Sequence, residues 1–253
     1  MTSKQGLLIL AVPLLGACEY LPDMRKTADP LPSPYRHQQV WAVAPLRNES
    51  GTLHVDTARL ADHLTRQLEN ASHIDVLPVN RVLEAMAAMG IREVTDRGQA
   101  LELLGLVGAD ALVVGSLTSF DPYDPPKAGM ALELYASPRM FYGDPVDLRN
   151  VSGDATEADD LPRTRPRAPA TPVSGFLDAA DPDVRRELEI YANKRGIRSA
   201  NVPERHLYRI NSDLYMEFVS YAMSSRLLRA ESLRLSPPLP EAEGEPVAQH
   251  NTR

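Results

Sequence analysis

Cys18 is the residue whose type and position point most directly to chemistry. It is the only cysteine among the 253 residues, so no disulfide can form within the chain. The small residues Gly16 and Ala17 precede it, and Leu15 closes an apolar run that begins at Gly6. We interpret this spacing as a signal that directs a lipid to the thiol of Cys18.

Residues 1–17 have the layout of a secretory signal peptide. Lys4 supplies the charged start, and the apolar run is too short to span a bilayer. Leu15 to Cys18 closely resembles the lipobox of bacterial lipoproteins. That resemblance implies that Cys18 becomes the first mature residue and carries several acyl chains, which together would anchor the protein in a membrane. The alternative is an ordinary cleaved signal followed by a chance cysteine.

The residue after the cysteine bears on location. In enterobacterial lipoproteins, a residue other than aspartate at this position favours the outer membrane, and Glu19 stands here. By this resemblance we expect a protein anchored in the outer membrane of the cell envelope and facing the periplasm.

No other pattern in the sequence predicts a catalytic or metal site. The six histidines have no pair at helical spacing: His37, His54, His63, His73, His206 and His250. HExxH, GxSxG and a glycine-rich phosphate loop are absent from the sequence. Asp121 and Asp124 could bind calcium, but two carboxylates among stiff prolines favour a solvated turn. We therefore expect no catalytic residue, metal or cofactor; a hydrolase whose residues are distant in sequence is the remaining enzymatic alternative.

The charge balance bears on partners. The chain has a formal net charge of −7 and no run of lysines and arginines. An acidic surface repels polyanions, so we expect no nucleic-acid partner.

The elements that would position the lipid anchor begin with a spacer. Residues 18–38 contain four prolines, at 22, 30, 32 and 34, among mainly polar residues. This composition is typical of a stiff, extended tether, which could hold a domain about 50 Å from the membrane.

From Gln39 onward, hydrophobic periodicity predicts an α/β domain with a mixed sheet of about four strands in the order βαβααββ, packed with helices. The expected strands cover 39–45, 73–77, 111–117 and 130–135, and the last two should be antiparallel. The expected helix starts are Asp56, Asn80, and Thr95 or Asp96, and Gly90 and Gly108 should end the second and third helices.

The second half of the chain is predicted less regularly. Residues 138–175 hold six prolines and few periodic apolar residues, which predicts a flexible insertion. Asp181 and Pro182 predict a helix that ends before Gly196. A longer helix is expected from Arg205 to Leu233; core packing is the favoured role of its aromatic residues, and a docking face is the alternative. Residues 236–253 read as a disordered tail.

The order of several short motifs resembles a known family. Val43 to Gly51, Val76 to Arg81 and Leu104 to Ser116 are similar to the periplasmic domain of the curli-secretion (CsgG-like) lipoprotein superfamily. The same fold is similar to the N-terminal domain of TolB and to lipoproteins that activate penicillin-binding proteins. The resemblance covers about residues 39–136 of a CsgG-like α/β domain expected at residues 39–235, and it brings no catalytic residue. Residues 138–175 lack the alternation of a membrane-spanning strand, so the resemblance does not imply pore formation here.

These observations lead to one functional hypothesis and one rival. The hypothesis is a membrane-anchored, non-enzymatic scaffold or accessory factor of envelope assembly or secretion, whose partner is an unidentified periplasmic or envelope protein. The rival is a ring-forming component of a curli-type export channel, which would make the chain a homo-oligomer.

Overall fold

The computed structural model describes residues 30–53, 55–137, 170–196 and 203–236. The predicted signal peptide and lipobox, the first part of the tether, most of the insertion and all of the tail except Ser236 lie outside these ranges. Among the described helices, none is both long enough and apolar enough to cross a membrane.

The described ranges contain six strands and six helices. In chain order they are β1 Gln39–Val43, β2 Arg47–Asn48, α1 Thr57–Leu68, β3 Ile74–Val76, α2 Val79–Ala88, α3 Arg97–Val107, β4 Ala111–Asp121, β5 Lys127–Ala136, β6 Ala170–Asp178, α4 Pro182–Arg195, α5 Glu204–Ile210 and α6 Ser212–Leu235. The predicted α/β class is confirmed.

The strands form one mixed sheet in the order β3-β1-β4-β5-β6, with β2 paired to β4 beyond the end of β1. β1, β3 and β4 are parallel, and Trp41 of β1 lies between Val76 of β3 and Ala111 of β4. β5 is antiparallel to β4, as predicted, and β6 is antiparallel to β5. β4 is therefore the middle strand, which explains why its first residues are apolar on both faces.

Helices cover the two faces of the sheet unequally. On one face α1 and α4 to α6 pack over a large core that includes Trp41, Val113 and Leu132. On the other face α2 and α3 pack over a smaller core around Leu112. On this second face, α3 reaches only the end of β5 near Tyr135, and Phe176 of β6 is 58% exposed there.

The parallel strands run between two ends of the domain. The tether end is where β1, β3 and β4 begin and where the chain enters at Pro30. The far end is where these strands finish and where α1 and α6 begin. The 11 residues of β4, at about 3.3 Å each, separate the two ends by roughly 35 Å.

Side-chain caps explain most helix starts. Asp56 and Asp181 accept hydrogen bonds from backbone N–H groups in the first turn of the next helix, as predicted. Of the two predicted starts of α3, Thr95 and Asp96, it is Asp96 that caps the helix. The predicted cap at Asn80 is wrong. The second helix already begins at Val79, because Pro78 sets an extended conformation before it, and no side chain caps that end.

The predicted count of four strands is also too low. Arg47 and Asn48, which lie beyond the predicted strand 39–45, form β2 because the sheet continues beside the long β4. Residues 170–175, predicted as part of the insertion, belong to β6. Pro172 is one of the six prolines on which the predicted insertion rested. Proline is nevertheless tolerated on an edge strand, where its missing N–H need not face a neighbour.

The single helix predicted from Arg205 to Leu233 is two helices. Asn211 lies between α5 and α6 with φ of −115° and ψ of 108°, which is not helical. Its side chain accepts hydrogen bonds from the N–H groups of Asp213 and Leu214 and so caps α6. The apolar spacing continues across the break, which is why periodicity alone did not reveal it.

Candidate functional site

The predicted lipid-attachment residues Leu15, Gly16, Ala17 and Cys18 lie outside the described ranges, so lipid attachment stays a prediction. What the structure does describe is the segment through which an anchor at Cys18 would be connected to the domain. This segment, residues 30–38, is called the docked segment below.

The docked segment is not a free spacer. Leu31 is 3% exposed and forms a parallel bridge with Ala71, and its N–H donates to the carbonyl of Asn70 at 3.2 Å. The ring of Tyr35 meets the buried ring of Trp41 edge to face, with centroids 5.8 Å apart. The predicted tether through residue 38 is therefore wrong for its last part. The prediction rested on the composition of the whole segment, which does not show that Leu31 and Tyr35 bury apolar surface on the domain.

Glu231 holds the docked segment from the side of α6. Its carboxylate accepts hydrogen bonds from the hydroxyl of Tyr35 at 2.8 Å, from the hydroxyl of Thr171 at 2.6 Å and from Nε of Arg234 at 2.7 Å. The residue is completely buried. One carboxylate thus joins the docked segment, β6 and α6 at the tether end.

The donors around Glu231 decide its ionisation. Burial alone would raise the pKa of this carboxyl, but the hydrogen bonds from Arg234, Thr171 and Tyr35 together with the charge of Arg234 outweigh it and hold the pKa below its usual range. Glu231 is therefore an ionised, fully bonded structural group. The sequence carried a signal for it, since Glu231 falls three residues after Leu228 on the apolar stripe of the helix.

A first groove of about 350 Å³ lies near the start of α3. Its floor is the open face of β4 and β5, and its walls include Arg47 and the residues that open α3. Crevices beyond the carboxyl ends of parallel strands are common ligand sites. Here the polar groups are engaged with each other: Arg47 lies 3.2 Å from Glu49 and 3.5 Å from Glu93, and Asp96 already caps α3.

Tyr135 at the floor of this groove is also engaged. Its hydroxyl donates to Glu133 at 2.6 Å. Burial, the hydrogen bond to Glu133 and the charge of that carboxylate together raise the pKa of Tyr135 to about 12. A phenol with so high a pKa stays protonated and is a poor general base.

A second groove, of about 190 Å³, lies at the far end and contains His63. Nε2 of His63 lies 3.0 Å from Asp213, and Nδ1 lies 2.9 Å from the guanidinium of Arg66. A guanidinium only donates, so Nδ1 accepts and the proton of the neutral ring is on Nε2, facing Asp213. Both ring nitrogens are thus engaged, and His63 ties α1 to α6.

Asp213 completes this cluster. Burial tends to raise its pKa, but hydrogen bonding to His63 and the contact with Arg59 at 2.8 Å dominate and lower it. The carboxylate is ionised and shared between α1 and α6. Histidine and aspartate separated by 150 residues leave no local spacing signal, so sequence reasoning missed the pair.

The remaining candidates of the sequence have structural surroundings. Asp124 pairs with Arg209 at 2.6 Å, and Asp121 accepts the N–H of Tyr123, so the two carboxylates face different partners. In the described ranges, no three histidine, cysteine or acidic residues converge as metal ligands would. The helix aromatics lie mainly in the core: Tyr208, Tyr215 and Phe218 are fully buried and Tyr221 is partly buried.

No protein-family model matches this chain, and no curated protein matches it either. Among solved structures, it is similar to the LpoB C-terminal domain from Escherichia coli, with 16% identity over 39% of this chain and 71% of that chain and a TM-score of 0.32. It is similar to the lipoprotein GNA1162 from Neisseria meningitidis, with 19% identity, coverages of 39% and 69%, and a TM-score of 0.29.

A third similar structure is the PelC dodecamer from Paraburkholderia phytofirmans, with 10% identity over 81% of this chain and 92% of that chain and a TM-score of 0.32. These identities and TM-scores are too low to decide family or function. The CsgG-like resemblance therefore stays a prediction.

Proposed function

We propose that the protein is a membrane-anchored lipoprotein of the bacterial cell envelope. Its α/β domain would work in the periplasm as a non-enzymatic scaffold or accessory factor of envelope assembly or secretion, and its partner would be another envelope protein. The lipobox-like residues Leu15 to Cys18 are the sequence basis of this proposal.

The observation that carries the proposal is the docked segment. Pro30 lies only 12 positions after Cys18, and Leu31 is already packed on the domain. At about 3.5 Å per residue, the stretch between them spans at most roughly 40 Å. A domain held this close to a membrane meets membrane-bound partners at a raised effective concentration, without any new contact.

The polar clusters support the non-enzymatic part. Glu231, His63 and Tyr135 are the groups whose burial or pairing would first suggest catalysis, and each has its hydrogen-bonding capacity used by neighbours in the fold. These contacts stabilise the domain and hold the docked segment in place.

The experiment that tests the anchor is the substitution Cys18→Ser in the full chain. Without the thiol no acyl chain can be attached, so we expect the variant to move from the membrane fraction to the soluble envelope fraction. Thr27→Ser, a change of similar size behind the lipobox, should leave the protein in the membrane fraction. If Cys18→Ser stays in the membrane fraction, the proposed anchoring is wrong.

The ring-forming component of an export channel is the rival prediction. Particle imaging of the detergent-extracted protein separates the two, because a closed ring would favour the channel class and a single copy the accessory class.

A further inference from the structure

Three large apolar side chains are exposed on neighbouring loops at the far end. Leu53 is 90% exposed, Tyr123 is 80% exposed and Ile210 is 53% exposed. They belong to the loop before α1, the turn between β4 and β5, and the end of α5. We call these three residues the far-end patch.

The loops that carry the patch are tied together. The hydroxyl of Thr52, next to Leu53, donates to the carbonyl of Phe120 at 3.2 Å. Asp124, next to Tyr123, pairs with Arg209, next to Ile210, at 2.6 Å. Single exposed apolar residues are common on protein surfaces. Three of them on loops joined by a hydrogen bond and an ion pair form a preorganised surface, which lowers the entropy cost of binding.

The surroundings of the patch are acidic. Residues 49–56, 121–126 and 209–213 contain five acidic residues and one basic residue, Arg209. Arg47 and Arg59 from adjoining elements pair with Glu49 and Asp213, and Arg209 pairs with Asp124. Two exposed carboxylates are left, and both accept hydrogen bonds from backbone N–H groups: Asp56 and Asp121.

We propose that the far-end patch is the docking surface for a partner protein that presents apolar side chains flanked by lysine or arginine. The patch supplies leucine, isoleucine and tyrosine contacts, and Asp56 and Asp121 at its border favour a basic partner. A second copy docked patch to patch would bring these like charges together, and an anionic lipid surface would be repelled. The inference rests on the proposed accessory function and names the surface through which it would act.

The position of the patch fits this use. The docked segment enters at the tether end, near Tyr35 and Glu231, whereas Leu53 and Tyr123 lie at the opposite end of β4. An anchored domain would thus present the patch away from its own anchor, roughly 35 Å farther along the sheet.

The test is photo-cross-linking in cells with the full-length, anchored protein. A benzophenone amino acid replaces Tyr123 in one variant and Leu53 in a second; the control replaces Leu233, which is 71% exposed in the last turn of α6 at the tether end. We expect the first two variants to form a cross-linked product with the same partner, a protein other than this chain. The control should not form this product. The cross-linked peptide of that protein should contain lysine or arginine beside apolar residues.

A charge variant tests the recognition itself. Asp121→Asn keeps an acceptor for the N–H of Tyr123 but removes the charge, so the yield of the cross-linked product should fall by about threefold. Added salt should also lower the yield of this product when Asp121 is present. A product formed only with a second copy, an equal product at Leu233, an acidic target peptide, or a yield unaffected by Asp121→Asn would each overturn the proposal. If the Cys18→Ser variant leaves the membrane fraction and one of these results is also obtained, only the proposed docking surface is contradicted, and the proposed anchoring stands.

Discussion

At the scale of single residues, the carboxylate of Glu231 joins three parts of the fold. A buried carboxylate is costly unless its oxygens are bonded, and here donors from three parts of the chain satisfy it. The residue therefore specifies how the docked segment, β6 and α6 fit together. Removing its charge should weaken all three contacts at once.

We predict that Glu231→Gln changes the pH dependence of stability. The pKa of Glu231 is lower in the folded protein than its usual value, so its ionisation stabilises the fold above about pH 4.5, and this contribution is lost as the pH falls through the folded-state pKa. At pH 7 the variant should be less stable by about 2 kcal/mol. Between about pH 6 and pH 3, the range in which carboxyl groups titrate, its free energy of unfolding should fall less than that of the wild type.

Urea denaturation at a series of pH values measures this. Glu84→Gln, which removes an exposed carboxylate from α2, controls for the loss of one negative charge. If the free energy of unfolding depends on pH in the same way for Glu231→Gln and the wild type, the ionisation of Glu231 does not contribute to stability.

At the scale of elements, the pairing of β4 with β5 leaves no room for a side chain at one position. Gly115 on β4 faces the carbonyl oxygen of Ala131 and a methyl of Leu132 on β5, and a Cβ at this position would collide with both. The oxygen is part of the strand backbone, so it cannot move without disturbing the ladder. Gly115 is therefore required by packing.

The same substitution at two glycines should have opposite effects. Gly115→Ala should destabilise the domain by about 2 kcal/mol, because overpacking forces β4 and β5 apart. Gly105→Ala in α3, where nothing lies within 4 Å of the new Cβ, should stabilise it by about 0.5 to 1 kcal/mol, because alanine favours the helix. Thermal unfolding of both variants checks the two signs, and a neutral Gly115→Ala would contradict the close approach.

At the scale of the whole molecule, the docked segment makes the domain begin earlier than the first strand. Leu31 and Tyr35 are part of the packed structure, although the prolines around them are typical of a linker. If Cys18 carries a membrane anchor as proposed, the free length between membrane and domain would be correspondingly shorter than a tether through residue 38 would allow.

Two N-terminal truncations should separate linker from domain. A chain beginning at Pro30 should unfold at the same urea concentration as one beginning at Glu19, since it keeps the docked segment. A chain beginning at Gln39 should lose about 3 kcal/mol, because it exposes the site of Leu31 and leaves Glu231 without the hydroxyl of Tyr35. Equal stability of all three chains would mean that the segment only rests on the surface.

Local signals in the sequence were enough for several parts of this protein. Alternation and helical spacing predicted the α/β class and the antiparallel β4 and β5. The capping residues Asp56, Thr95 or Asp96, and Asp181 predicted where three helices begin. These features depend on neighbours within a few residues, where side-chain type directly selects backbone conformation. The lipobox-like residues are equally local, and the prediction they make concerns processing and does not depend on the fold.

Tertiary structure alone decided the rest. The docking of Leu31 and Tyr35, the burial of Glu231 and the pairing of His63 with Asp213 join residues distant in the chain, and their energies exist only after the sheet and helices are assembled. The strand status of Pro172 likewise depends on its place at the sheet edge. The far-end patch belongs with these features, because nothing in the order of Leu53, Tyr123 and Ile210 shows that their loops meet.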